Sequence, residues 1–92
     1  NMFKYVRKGE ISSIASLHGV DAEIIEFIVK ANSKVTHKPI RKLRFPKTAN
    51  IAGVIRDNVG FIPFGDFQLK EGDKAVVFSL TETINKIEKY FS

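Results

Sequence analysis

Apolar positions along this chain fall into short blocks, and their period changes from block to block. The first dense cluster is Ile24, Ile25, Phe27, Ile28 and Val29. Its β-branched and aromatic content predicts a buried strand. Glu23 and Glu26, three apart, keep a helix open as the alternative. Further upstream, residues 3–7 read as the tail of some preceding element. Gly9 separates them from "EISSIASL", whose apolar positions are Ile11, Ile14 and Leu17. "THKPIRKLRFP" predicts a short helix. Pro39 suits a first turn, where its missing N–H is not needed, and Ile40 and Leu43 share one face. Pro46 ends it by forcing Phe45 into extended geometry.

From Ala49 the period becomes that of strands. "NIAGVIR" and "FIPFG" flank "DNVG", and Asp57-Asn58 suits the positive-φ positions of a tight hairpin turn. Pro63 makes the second strand short or an edge strand. In "KAVVFSL" the continuous run at residues 76–78 predicts a strand in a buried position. "TETINKIEKYFS" predicts a closing helix, with Thr81 as N-cap, Glu82 at the positive end of the dipole and Lys86 and Lys89 toward the other end. Its apolar stripe is Ile84, Ile87 and Phe91. The fold class that follows is α+β: a small, mostly antiparallel sheet with a short helix and a C-terminal helix.

Length and composition narrow what such a fold can do. The 92 residues allow one domain, in which roughly 60–65% of the unfolded surface becomes buried. There is no cysteine, which excludes disulfides, thiolate zinc sites and a cysteine nucleophile. No apolar run is long enough to span a membrane. His18 and His37 have no ligand at metal spacing. No G-x-S-x-G occurs, and no carboxylate pair stands in an acid/base context. The glycines at 9, 19, 53, 60, 65 and 72 are isolated, so no phosphate-cradling loop is present. The residues therefore point to a binding module and not an enzyme.

Charge then locates the binding. Between Phe27 and Arg56 there is no acidic residue, while Lys30, Lys34, Lys38, Arg41, Lys42, Arg44, Lys47 and Arg56 supply eight positive charges. Such a segment favours an anionic partner. Nucleic acid fits less well, because stacking platforms need exposed aromatics interleaved with Lys or Arg. The basic segment contains only Phe27 and Phe45.

Two Gly-Asp pairs, Gly65-Asp66 and Gly72-Asp73, lie seven residues apart. "GDFQLKEGD" lacks the alternating oxygen ligands of a calcium loop and reads as two turns around a short strand, "FQL". Together with Gly53, Arg56, Pro63, Leu69 and residues 76–78, these pairs resemble the C-terminal regulatory domain (RCK-C, or TrkA-C) of potassium-uptake proteins. Gly9-Glu10, Ser16-Leu17 and residues 23–26 resemble the entry segment of that family, and "KPIRKLRFP" its short helix. The resemblance divides the chain into residues 1–20, a linker or the end of a preceding domain, and residues 21–92, the RCK-C domain.

It also implies a cytosolic, non-enzymatic, ligand-sensing module that forms a homodimer. The module would work at the inner face of the cell membrane with a membrane-embedded potassium-translocating subunit, without entering the membrane itself. In the family, NAD or ATP binds a preceding Rossmann domain, so no cofactor is expected in this stretch. Some members bind cyclic di-AMP at the dimer interface. Arg41, Arg44, Lys47, Asn50 and Ile51 lie where that ligand would sit. The alternative is a stand-alone nucleotide- or nucleic-acid-binding module that uses the basic 30–56 segment.

Overall fold

The computed structural model describes residues 2–3, 10–16 and 21–92. In chain order the strands are β1 (Met2–Phe3), β2 (Glu10–Ser16), β3 (Ala22–Ile28), β4 (Ala49–Arg56), β5 (Val59–Phe61) and β6 (Lys74–Leu80), and one helix follows, α1 (Ile84–Phe91). The expected break at Gly9, and Leu17 and His18, lie outside the described residues. All strand pairs are antiparallel, and the sheet order is β1-β2-β3-β6-β4-β5. The α+β class read from the hydrophobic pattern is therefore the architecture observed.

One face of the sheet carries the core. Ile25 and Phe27 of β3, Ala75 and Val77 of β6, and Ala49 and Val54 of β4 are all buried. The stripe Ile84, Ile87 and Phe91 of α1 closes over them, with the rings of Phe91 and Phe27 parallel at 4.4 Å. The opposite face bears Ile24, Asn50 and Phe78 side by side on three neighbouring strands. Ile24 is 38% exposed and Phe78 is 37% exposed. This refines the expectation of a buried run at residues 76–78: Ala75, Val77 and Ser79 point inward, while Phe78 stays partly in water. Because the outward Val76 and Phe78 are also apolar, the alternation reads as a continuous apolar run.

Other local expectations shift as well. The predicted short helix is two separate 3-10 turns, Lys34–Thr36 and Ile40–Lys42, with Pro39 just before the second. Thr81 is not an N-cap. It opens a 3-10 turn, Thr81–Thr83, that leads into α1, and no side-chain hydrogen bond caps either element. "FQL" forms no strand; Leu69 instead plugs the core, at 1% exposure. The hairpin turn is as expected. Asp57 and Asn58 take φ of 53° and 64°, the left-handed pair whose twist matches the flanking strands. β5 has three residues and lies at the sheet edge.

The two Gly-Asp turns hold the loops to the sheet. The Gly65 carbonyl accepts the Arg41 N–H at 3.0 Å, and the Asp66 carboxylate accepts Arg41 Nε–H at 2.8 Å. A Cβ on Gly65 would lie 3.2 Å from the Arg41 Cβ, so the close approach favours glycine here. At the second turn Gly72 has φ of 89°, a conformation open to glycine at little cost. Its N–H bonds the Val29 carbonyl at 2.9 Å, and the Val29 N–H bonds the Asp73 carbonyl at 2.8 Å.

Asp73 is the buried member of a bidentate pair. Arg56 donates from Nε to one carboxylate oxygen at 2.9 Å and from Nη2 to the other at 2.7 Å. The Lys70 N–H adds a third bond at 2.9 Å. The guanidinium also lies 4.8 Å from the Phe67 ring centre, a favourable cation–π distance. Burial pushes the Asp73 carboxyl up. The Arg56 and Lys70 hydrogen bonds and the charges of both residues outweigh that, and hold it below its ordinary value. The hydrogen bond to Asp73 in turn raises the Arg56 guanidinium against the effect of burial.

Two outcomes follow. Phe91→Ala should cost about 3–5 kcal/mol of stability in urea unfolding. Because the Asp73 pKa is depressed on folding, its contribution is present above the unfolded carboxylate value and fades as pH falls through the folded one. Asp73→Asn should therefore cost about 2 kcal/mol at pH 7, and its urea midpoint should drop less than that of the parent between pH 7 and pH 3.

Candidate functional site

The predicted site residues lie between the second 3-10 turn and the start of β4. The Ala49 N–H bonds the Pro46 carbonyl at 3.1 Å and so closes a turn with Lys47 and Thr48 at its centre. The Thr48 carbonyl accepts the Leu80 N–H at 3.0 Å, and the Thr48 and Thr83 hydroxyls share a hydrogen bond. This turn is therefore fixed both to β6 and to the entry of α1. It forms one wall of a cleft of about 340 Å³, lined by Lys47, Thr48, Ala49, Asn50, Phe78 and Leu80.

The lining is chemically mixed. Lys47 is exposed and has no ion pair among the described residues. The Asn50 amide, also exposed, offers both donor and acceptor. Phe78 presents an aromatic face beside it. A phosphate on Lys47, a base edge on Asn50 and a base face on Phe78 are the contacts such a cleft can make. No carboxylate or histidine lines it, so the Lys47 amine and Thr48 hydroxyl have no general base beside them there. Among the described residues, no group of three His, Asp or Glu could hold a metal ion.

Of the five residues singled out from sequence, the cleft joins Lys47 and Asn50. Ile51 lies on the opposite side of β4, paired with Val77 and packed against the core. Arg41 is engaged by Asp66. Arg44 is exposed, with φ of 56°, and its carbonyl accepts the Tyr90 hydroxyl at 3.1 Å. Sequence reasoning missed Phe78, Leu80 and Thr48. The available signal was the small inward pair Ala75 and Ser79, which sets the parity of β6 and turns Phe78 outward.

A neighbouring hollow of about 570 Å³ is lined by Asp21, Leu80, Thr81 and Glu82. Its two carboxylates make it a poor host for an anion. The Arg56 hollow is likewise unsuited, because Asp73 already occupies the guanidinium.

Comparison with known proteins agrees with the geometry. The model of the TrkA-C domain matches residues 24–92. The chain is 38% identical over 81 residues to the Trk system potassium uptake protein TrkA homolog 2 of Methanosarcina mazei, covering 88% of this chain and 18% of that protein. Homolog 1 of the same organism is 41% identical over the same shares. The Azorhizobium caulinodans Trk system potassium uptake protein TrkA is 30% identical over 98% of this chain and 20% of its own length. A solved structure of an RCK domain with cda superposes with a TM-score of 0.62 at 26% identity, covering 75% of this chain and 97% of that one. The fold is that of a small regulatory-type domain. The chain belongs to the TrkA-C domain family, and it spans about a fifth of the length of the relatives it matches.

Proposed function

We propose that this chain is the non-catalytic, ligand-sensing part of a Trk-type potassium uptake system, working at the cytosolic face of the membrane beside a potassium-translocating subunit. The observation that carries this reading is the Lys47–Asn50–Phe78 cleft, set at the margin of an exposed apolar sheet face in a TrkA-C domain. The ligand class we favour is a cyclic dinucleotide, with cyclic di-AMP as the specific candidate. Support comes from the mixed cation, amide and aromatic lining, and from the neighbouring RCK domain solved with cda.

The exposed face suggests how ligand binding would reach the rest of the system. Ile24, Val76 and Phe78 stay partly in water in the single chain. A second copy packed there by two-fold symmetry would bury them and bring two clefts together. A cyclic dinucleotide has the same two-fold symmetry, so one molecule could engage both. A ligand that binds one dimer geometry better than another shifts the population, and an attached channel would respond. NAD or ATP is assigned to no residue of this chain.

Calorimetry with cyclic di-AMP tests this. One ligand should bind per two chains, Asn50→Ala and Lys47→Gln should each weaken binding by at least about tenfold, and sedimentation should show a dimer. No heat at high protein concentration would remove the ligand. Binding of generic oligonucleotides that weakens steeply with salt would instead favour the nucleic-acid module.

A further inference from the structure

A second cleft lies on the other side of the basic segment. The turns Lys34–Thr36 and Ile40–Lys42 face α1 across a space of about 240 Å³, lined by Lys34, His37, Lys38, Lys42, Leu43 and Tyr90. Its walls are fixed. Leu43 is buried in the core. The Tyr90 ring packs edge-on against Phe45 at 4.7 Å, and its hydroxyl is tied to the Arg44 carbonyl. His37 is held by a 3.0 Å hydrogen bond between Nε2 and Asn32 Oδ1.

The charges are not balanced in the same way. Arg41 and Arg56 of the acid-free segment are paired with Asp66 and Asp73. The side-chain ammonium groups of Lys34, Lys38 and Lys42 have no hydrogen bond or ion pair among the described residues, and no carboxylate lines the cleft. Three ammonium groups around one rigid apolar-floored hollow repel one another, and an anion seated among them would relieve that repulsion. Lysine binds phosphate well as a point charge.

We propose that this cleft binds a phosphate group, independently of the Lys47–Asn50–Phe78 site. Lining chemistry separates the two ligands: this hollow has three lysines and no outward amide, while the other cleft has one lysine with Asn50 and Phe78. At about 30 Å³ per water the hollow holds about eight waters, enough for a phosphate or pyrophosphate group. It falls below the roughly 300–1,000 Å³ typical of clefts for larger organic ligands. The phosphate can be free in solution or carried by a lipid headgroup.

The test is an NMR titration of this chain with pyrophosphate at low salt, paired with flotation on phosphatidylglycerol and phosphatidylcholine vesicles. Saturable shifts at the amides of residues 34–43 and Tyr90 are expected. The K34Q/K38Q/K42Q variant should weaken binding at least about tenfold. K70Q/K74Q/K86Q, which removes the same charge from exposed positions elsewhere, should leave it unchanged. Binding to pyrophosphate alone identifies a free phosphate. Binding to phosphatidylglycerol but not phosphatidylcholine vesicles, lost only in the first variant, identifies a headgroup. No response to either probe, or equal loss in both triple variants, overturns the proposal. Cyclic di-AMP shifts would map to Lys47, Asn50 and Phe78, so the outcomes at the two sites are distinguishable.

Discussion

A helix of eight residues makes too few internal hydrogen bonds to persist in water, so α1 depends on the sheet beneath it. The contact that secures it is the parallel stack of Phe91 on Phe27, flanked by Ile84 and Ile87. The dependence runs both ways. Among the described residues α1 is the only α-helix, and it covers one face of the sheet. Without it Ile25, Phe27 and Val77 would meet solvent. With it, the chain has spent its apolar helix on one side, and Ile24, Val76 and Phe78 remain for the other. The exposed face and the cleft at its margin thus follow from how little helix the described residues contain.

The charge distribution fits the same economy of elements. The acid-free segment spans the two 3-10 turns and β4. It is fixed at two points by carboxylates from distant loops, Asp66 on Arg41 and Asp73 on Arg56. These pairs differ in kind. The Arg41–Asp66 pair is exposed and contributes little. The Arg56–Asp73 pair is largely withdrawn from water, bidentate, and backed by Phe67. Of the six cations in the segment that no carboxylate engages, four are grouped at two places, Lys47 beside Asn50 and Lys34, Lys38 and Lys42 beside Tyr90, while Lys30 and Arg44 stand apart. Both binding proposals use positive charge that the fold itself leaves unneutralised.

Much of the fold was legible because its signals are local. Asp57-Asn58 forms the expected turn, Pro63 follows a three-residue edge strand, and the Ile84, Ile87 and Phe91 stripe is buried as its period requires. The failures share a physical cause: they depend on partners far away in sequence. "FQL" looks like a strand, but its backbone is used elsewhere, the Phe67 carbonyl accepting the Ile40 N–H. Arg41 looked available until the fold brought Asp66 to it across 25 residues. Phe78 was hidden because the outward positions of β6, Val76 and Phe78, are as apolar as the inward Val77, which erased the contrast that marks alternation. Lys47 and Asn50 were visible as chemistry, but the aromatic surface they share was not.

β4 does not alternate regularly. Its register against β6 slips at Ala52, between Ile51 and Gly53, so one extra residue is taken up there. Before the slip Asn50 faces outward beside Phe78. After it Val54 faces the core, and Arg56 reaches Asp73. The bulge acts as a phase shifter between two halves of one strand, one aimed at the Asn50–Phe78 cleft and the other at the domain's internal ion pair. Closing it by a single deletion would leave each half intact as sequence yet put them out of step. Cleft wall and structural anchor are thereby bound to a fixed count of residues, and tolerance to substitution along β4 need not extend to any change in its length.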